Sequence, residues 1–279
     1  MRTLSRSVTR GGESSAPLPA PFQTWAQRYI RFHRASLSLL FGVSGSFKTM
    51  IALNALVNMR LPTLAFSTDS DEDTVAARLA ALSTGEPYTV TRSWRQREPL
   101  RLQEAIAPFD FIRWDFAPQL DLNHIWNSLY AHYETEGRYP DQVLVDILSD
   151  VWHSEGEGEW GMQKAVLRQL KALARETGCH VLVVTHATAD RAKSPCPKKG
   201  DIQGKLDALP EVIISCGVDW QNQLQVTAVK NRHGKSDPQA DSHFRMAIEP
   251  DRAFVGDYVA PQYPAYAGAY YDNEEEGEE

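Results

Sequence analysis

The chain has 279 residues, 42% hydrophobic and 23% charged, which is the composition of a globular protein with a sizeable core. No apolar stretch approaches the roughly 18 residues that a membrane-spanning helix needs, so no membrane partner is expected. The cysteines, Cys179, Cys196 and Cys216, are scattered without a Cys-x-x-Cys pair, which argues against a disulfide framework or a zinc ribbon. These properties predict a soluble, cytoplasmic protein.

The formal net charge of −7 is unevenly distributed. Residues 272–279 read DNEEEGEE and contain six acidic residues, so the rest of the chain is close to neutral. Composition therefore neither favours nor excludes a nucleic-acid partner. We expect a flexible basic arm over residues 1–20, a single folded domain over 21–257, and a disordered tail of Tyr and acidic residues over 258–279.

A short amphipathic helix is predicted directly after the arm. Trp25, Tyr29, Ile30 and Phe32 lie there near helical spacing. The apolar side of this helix packs either on its own domain or on a neighbouring subunit.

The segment FGVSGSFKTM, residues 41–50, has the layout of a phosphate-binding loop between a strand and a helix. Backbone N–H groups of such a loop surround a phosphate, a lysine reaches the terminal phosphates, and a hydroxyl holds Mg²⁺. Lys48 and Thr49 fit the last two roles, which implies ATP and Mg²⁺ as cofactors. Phe47 departs from the pattern G-x-x-x-x-G-K-[ST], so an ordinary strand–turn–helix is the alternative. The predicted nucleotide-binding residues are Gly42, Ser44, Gly45, Ser46, Phe47, Lys48, Thr49 and Met50.

A carboxylate, Asp69, stands where the next predicted strand stops. Side chains at the carboxyl ends of parallel strands project into the ligand crevice, where a carboxylate can orient water for attack on a phosphate. Alternatively, Asp69 and Asp71 only precede and cap the following helix. Ser70 and Asp73 predict a capping box for that helix.

Two further buried strands end in polar residues. The segment DQVLVDILSD contains an apolar run that ends at Asp146, which predicts a carboxylate that supports Mg²⁺ beside Thr49. The segment HVLVVTHA ends at His186, a position from which a polar side chain can sense the γ-phosphate. A simple role at the strand end is the alternative for His186.

Basic residues occur in three segments of the chain. Residues 91–101 contain four arginines and Trp94, a pattern that fits single-stranded nucleic acid but more often forms a solvated surface. The long loop after His186 carries Lys193, Lys198 and Lys199. A late strand runs into KNRHGK, which brings Lys230 and Arg232 to its end.

The order of these motifs, together with VKNRHG, resembles the RecA-like ATPases over roughly residues 25–250, and among them the DnaB-type replicative helicases and their small phage-encoded relatives. The resemblance implies an α/β fold: a RecA-like P-loop core whose mostly parallel central sheet is flanked by helices, with C-terminal antiparallel strands. We expect no counterpart of the family's N-terminal primase-interacting domain in this sequence.

The resemblance also assigns roles to particular residues. It implies that Arg232 is an arginine finger that reaches ATP on a neighbouring subunit, with Lys230 as its companion. Asp69 takes the place of the family's catalytic glutamate, and His186 that of a glutamine. The basic loop corresponds to one that grips DNA, which makes its lysines contacts to the DNA backbone; they are Lys193, Lys198 and Lys199.

These observations lead to one main hypothesis and three alternatives. The main hypothesis is an ATP-dependent DNA helicase or translocase that acts on single-stranded DNA in replication as a ring, a hexamer, in the host cytoplasm if phage-encoded. Replication proteins would bind the acidic tail. The alternatives are a RecA- or RadA-type recombinase or mediator, a KaiC-like ATPase switch that controls a protein partner, and a non-enzymatic protein with a degenerate loop.

Overall fold

The computed structural model of the protein describes residues 16–156, 158–188 and 195–259. Within these ranges a nine-stranded sheet is flanked by helices, and two short strands pair separately. The helices are α1 (Gln23–Gln27), α2 (Lys48–Met59), α3 (Glu72–Thr84), α4 (Tyr88–Arg97), α5 (Pro99–Ile106), α6 (Leu122–Glu136) and α7 (Gly158–Thr177). The strands are β1 (Leu37–Gly42), β2 (Thr63–Ser67), β3 (Ile112–Asp115), β4 (Leu120–Asp121), β5 (Gln142–Asp146), β6 (Val151–Trp152), β7 (His180–His186), β8 (Val212–Val218), β9 (Leu224–Asn231), β10 (Phe244–Glu249) and β11 (Phe254–Asp257).

The strand order in the main sheet is β11-β10-β9-β8-β1-β7-β5-β2-β3. Strands β8, β1, β7, β5, β2 and β3 run parallel, whereas β9, β10 and β11 continue the sheet with antiparallel pairings. The predicted architecture, a mostly parallel sheet with C-terminal antiparallel strands, is confirmed. Strand β11 was not predicted from the sequence, and neither were the two short strands β4 and β6.

The central strands are buried on both faces because helices cover the sheet on each side. Strand β1 reads LSLLFG and is buried at every position, as expected for a parallel strand between two helical layers. Helix α2 packs in the core on one face, and α6 and α7 pack in the core on the other. This burial fixes the register of the parallel strands, so their carboxyl ends meet along one edge.

The N-terminal segment packs on its own domain. Trp25 is 1% exposed and lies in the same core as Phe32. The Asp257 carboxylate accepts hydrogen bonds from the backbone N–H groups of Gln23 and Thr24, which joins α1 to β11. Leu18, in the segment assigned to the arm, is also buried, and its N–H bonds the Phe32 carbonyl. Leu18 therefore packs with the folded domain.

The arginine-rich segment forms α4 and the start of α5 and is used within the domain. Trp94 is buried, and the Arg101 guanidinium lies 4.0 Å from its ring centroid. Arg101 also pairs with Glu98, and Arg95 with Asp73. Trp94 is therefore not available to stack on a nucleic-acid base. Within the described ranges, no helix is both long enough and apolar enough to cross a membrane.

Candidate nucleotide-binding site

A cavity of about 250 Å³ lies at the carboxyl edge of the parallel strands. The loop after β1 forms one wall, and residues at or just beyond the ends of β2, β5 and β7 form the others. The cavity therefore brings together the predicted phosphate loop and the side chains predicted to position water, to support the metal and to sense phosphate, which are Asp69, Asp146 and His186. The lining residues are Ser44, Gly45, Ser46, Phe47, Lys48, Thr49, Met50, Asp69, Arg78, Asp146, Ile147 and His186.

The phosphate loop curls around its own backbone before α2 begins. The Ser46 hydroxyl and N–H both bond the Val43 carbonyl, and the Lys48 ammonium donates to the same carbonyl at 3.0 Å. Gly45 and Phe47 both have positive φ, 70° and 62°. Phe47 thus adopts the left-handed conformation that glycine would take without strain at this position, and the loop forms despite the departure from the motif.

Gly42 is required where β1 turns into the loop. A Cβ atom at this position would lie 2.4 Å from the Cys216 carbonyl oxygen and 2.4 Å from Ser46 Oγ. Cys216 is fully buried beneath the loop, and burial raises the pKa of its thiol to about 11. The thiol is therefore neutral at physiological pH and acts as packing below the phosphate loop.

Thr49 and Asp146 form the predicted metal-binding pair. The Thr49 side chain interacts with the Asp146 carboxylate and favours its ionised form. Burial, opposed by this interaction, raises the pKa of Asp146 to about 6, and Asp69 contributes to the shift. Asp146 Oδ1 is buried and has no hydrogen-bond partner among the described residues. A buried carboxylate oxygen without a partner, beside a hydroxyl and a phosphate loop, fits Mg²⁺ held directly or through water.

Asp69 and Asp71 have different positions although they are neighbours in sequence. Asp69 lines the cavity, close enough to Asp146 to act on its pKa. Asp71 caps α3, since its carboxylate accepts the Thr74 N–H at 2.8 Å. The interaction with the Thr74 side chain, followed by this backbone bond, lowers the pKa of Asp71. The predicted capping box at Ser70 and Asp73 is therefore wrong, because Asp71 is the residue with extended backbone directly before the helix.

Arg78, which sequence reasoning missed, also lines the cavity. Its Nη1 donates to Ser70 Oγ at 3.1 Å, and its charge acts on the pKa of Asp146. Arg78 follows Asp71 by about two helical turns and so lies on the same face of α3, a signal that the sequence contains. It places a second cation, after Lys48, in the cavity.

His186 lies at the end of β7 and lines the cavity together with Lys48. Burial, with the nearby Lys48 charge, lowers the pKa of His186. The imidazole is therefore neutral at pH 7. A neutral ring can donate a hydrogen bond to a phosphate oxygen or accept one from a water.

Arg232 and Lys230 lie near the amino-terminal ends of β1 and β8, opposite the strand ends that line the cavity. The Arg232 N–H bonds the Glu211 carbonyl, and the Glu211 N–H bonds the carbonyl of Leu37 at the start of β1. Gly42 is five residues further along β1, about 16 Å at the usual strand rise. Arg232 therefore cannot reach the cavity of its own chain. Its guanidinium lies 3.9 Å from Glu211, and the Lys230 ammonium donates to the Asp207 and Ala208 carbonyls.

The basic loop after β7 is described only in part. Lys193 lies outside the described residues. Lys198 is exposed, and the Lys199 ammonium is 3.5 Å from the Asp207 carboxylate. The lysines that the structure describes lie outside the nucleotide cavity and remain predicted DNA contacts.

The sheet order, the phosphate loop and the acid-tipped strand define a RecA-like P-loop ATPase. A family model described as "AAA domain" (AAA_25) matches residues 17–192, which is more than half of the chain. The chain therefore belongs to the AAA_25 family. It is also 28% identical over 272 residues to the Gene 65 protein of Mycobacterium phage L5, with coverage of 92% of this chain and 99% of that protein.

Solved structures of low sequence identity have the same fold. A structure described as an ATPase domain is 15% identical with a TM-score of 0.76, and the match covers 92% of this chain and 96% of that domain. A DnaB-like replicative helicase is also 15% identical with a TM-score of 0.76, and the match covers 92% of this chain and 67% of the helicase. The KaiC-like protein PH0186 from Pyrococcus horikoshii OT3 is 12% identical with a TM-score of 0.61, over 88% of this chain and 100% of that protein.

Proposed function

We propose that this protein hydrolyses ATP between adjacent subunits of a ring, a hexamer, and uses the energy to move along single-stranded DNA as a helicase or translocase in replication. The observation that carries the proposal is the separation of Arg232 from the cavity, by the length of a strand. A trans-acting arginine needs this arrangement, because the site is then completed only when a second copy presents its Arg232.

Within the cavity each residue has a distinct task. Lys48 binds the terminal phosphates, while Thr49 and Asp146 hold Mg²⁺, which would neutralise charge on the phosphate oxygens. Asp69 orients the attacking water, and His186 contacts the γ-phosphate. Arg78 adds positive charge from the same subunit. Arg232, with Lys230 beside it, supplies the remaining charge from the neighbouring subunit.

Mixing two inactive variants tests the shared site. Lys48→Ala should abolish nucleotide binding, whereas Arg232→Ala should retain binding and lose at least about a hundredfold in kcat, since fingers of this kind contribute about a thousandfold or more. In a mixture, some interfaces combine an intact Lys48 cavity with an intact Arg232, so hydrolysis should reappear. Arg252→Ala is the matched control, because Arg252 is an exposed arginine paired with Glu249. No recovery in mixed oligomers of confirmed subunit exchange would contradict the proposal.

DNA binding is tested with single-stranded DNA in the hydrolysis assay. We expect stimulation of turnover by a closed oligomer, and charge reversal at Lys198 and Lys199 should weaken DNA binding and reduce its salt dependence. Unchanged binding in this double variant would show that the DNA contacts lie elsewhere.

A second candidate is an ATPase switch that controls a protein partner. The loop after Asp146 favours it, since it carries Asp150 and Glu155 next to Trp152, which is 59% exposed. Acidic side chains around an exposed aromatic suit a protein surface better than a phosphate backbone. The likeness to the KaiC-like fold is compatible with this candidate. Hydrolysis that single-stranded DNA leaves unchanged would favour the switch over the helicase.

The similarity to a mycobacteriophage protein supports a phage origin for this protein, which would then act in the host cytoplasm. The domain extends to about residue 257, and the acidic residues beyond it bind replication proteins. Removal of residues 270–279 should leave the melting temperature and hydrolysis unchanged and reduce only partner binding.

A further inference from the structure

We propose that the Thr68 hydroxyl is a positioning group that holds Asp69 at a fixed place relative to the metal carboxylate Asp146. The inference rests on the ATPase function proposed above. It assigns a task to a residue that has none in the phosphate-loop or metal motifs and that sequence reasoning missed.

Three hydrogen bonds join Thr68 to the peptide group between Asp146 and Ile147. The Thr68 N–H donates to the Asp146 carbonyl at 2.8 Å. The Thr68 hydroxyl lies 3.2 Å from the same carbonyl, to which it donates, and accepts the Ile147 N–H at 3.1 Å. The first bond continues the ladder between β2 and β5 beyond the Ser67–Asp146 pair, so any residue except proline would form it. The other two require a hydroxyl.

The segment that carries Asp69 is also held from its other side. The Ser67 hydroxyl donates to the Ser70 carbonyl at 2.8 Å, and Arg78 donates to Ser70 Oγ at 3.1 Å. Asp69 therefore lies between two fixed points, Thr68 and Ser70. An aspartate has only one methylene between backbone and carboxyl group, so the position of its carboxylate depends closely on the position of its backbone.

The same contacts restrain Asp146. Its carbonyl and the next N–H are both bound by Thr68, so the backbone that aims the buried carboxylate at the metal position cannot rotate freely. One hydroxyl thus couples the group that orients water to the group that supports the metal. Reacting groups must be held to within a fraction of an ångström for full rate, so loss of this link should lower turnover more than binding.

Thr68→Val is the direct test, because valine keeps the branched shape and removes only the hydroxyl. We expect kcat to fall about tenfold, the scale of one or two lost hydrogen bonds, with KM for ATP nearly unchanged. Thr68→Ser should restore most of the rate. Thr84→Val is the matched control, since the Thr84 hydroxyl donates to the Ala80 carbonyl within α3, away from the cavity. If Thr68→Val does not fold, Thr68→Ala removes the same hydroxyl.

A double-mutant cycle separates positioning from general destabilisation. In an Asp69→Asn background the carboxylate that Thr68 positions is already gone and only the restraint on Asp146 is left to lose, so Thr68→Val should lower the rate less than it does in the native background. The proposal is overturned if Thr68→Val turns over like the native protein, if serine and valine are equally impaired, or if the effects of the Thr68 and Asp69 substitutions are fully additive.

A second readout does not depend on hydrolysis. If the native protein does not hydrolyse ATP, the proposed function fails, but the link to Asp146 is still testable through the Mg²⁺ dependence of binding of a fluorescent ATP analogue. Thr68→Val should raise the Mg²⁺ concentration needed for half-maximal binding severalfold, and Thr68→Ser should not. An unchanged Mg²⁺ requirement in Thr68→Val would overturn the inference independently of the ATPase proposal.

Discussion

Burial of the Asp146 carboxylate predicts that Asp146→Asn stabilises the ligand-free protein while it abolishes metal-dependent hydrolysis. The pKa of this carboxyl rises from 3.8 to about 6, chiefly because of burial. At about 1.4 kcal/mol per pKa unit, the ionised group costs the fold on the order of 3 kcal/mol. Asparagine keeps the shape of the side chain and removes its charge, so we expect a gain of about 1–3 kcal/mol at pH 7.5. For a domain of this size that gain raises the melting temperature by roughly 2–12 °C.

The stability difference between Asp146→Asn and the native protein should depend on pH. The folded-state pKa is above the unfolded value, so the folded chain retains the proton over a range where the unfolded chain has lost it. The cost of ionisation is absent below about pH 4, grows as the pH rises to about 6, and is complete above that. The advantage of Asp146→Asn should therefore be full at pH 7.5 and absent at pH 4.

Thermal melting in the presence of a chelator and without nucleotide measures this difference. Asp71→Asn is the control: Asp71 is an exposed helix cap, and asparagine caps a helix about as well, so no gain is expected. Addition of Mg²⁺ and ATP should stabilise the native protein more than Asp146→Asn. A variant no more stable than the native protein at pH 7.5, or a gain that persists at pH 4, would refute the reasoning.

Three further substitutions test the geometry of the cavity. Phe47→Gly should stabilise the protein by about 1 kcal/mol because it relieves the strain of a left-handed backbone at this residue. Phe47→Ala keeps a Cβ atom and should not stabilise it. Equal melting temperatures for the two variants would count against strain at this position. Gly42→Ala should lower the free energy of unfolding, measured by chemical denaturation, by about 2 kcal/mol or more and impair ATP binding, because the new methyl group meets the Cys216 carbonyl. A variant of native stability would contradict this contact. Arg78→Gln should lower kcat at least tenfold, while Arg252→Gln should not, and a normal rate in Arg78→Gln would remove Arg78 from the site.

The elements with strong local signals were predictable from sequence. The apolar strands β1, β5 and β7 are buried on both faces and read as continuous hydrophobic runs, so their existence and their polar ends could be predicted without coordinates. Because carboxyl ends of parallel strands share one edge, the meeting of Lys48, Asp69, Asp146 and His186 followed from that prediction. All four residues line the same cavity.

Other features depended on contacts between segments far apart in the chain. Residues 91–101 read as a basic surface or nucleic-acid segment, yet Trp94 is buried in a helical layer and covered by Arg101. The composition of the segment could not reveal this, because an arginine beside a tryptophan has the same local pattern whether the ring faces solvent or a core. The cap at Asp71 instead of Ser70 depended on which backbone is extended at the start of α3.

The sequence by itself determined which chemical groups are present and, through strand periodicity, at which edge of the sheet most of them emerge. Only the tertiary structure decided that Arg232 lies a strand length away from Lys48, because β9 runs antiparallel to β8 and carries its end to the opposite edge. Likewise, only the fold brings Thr68 to the peptide group after Asp146. Hydrophobic patterns are local and recur within a few residues, whereas strand direction and cross-strand hydrogen bonds depend on how distant segments pair.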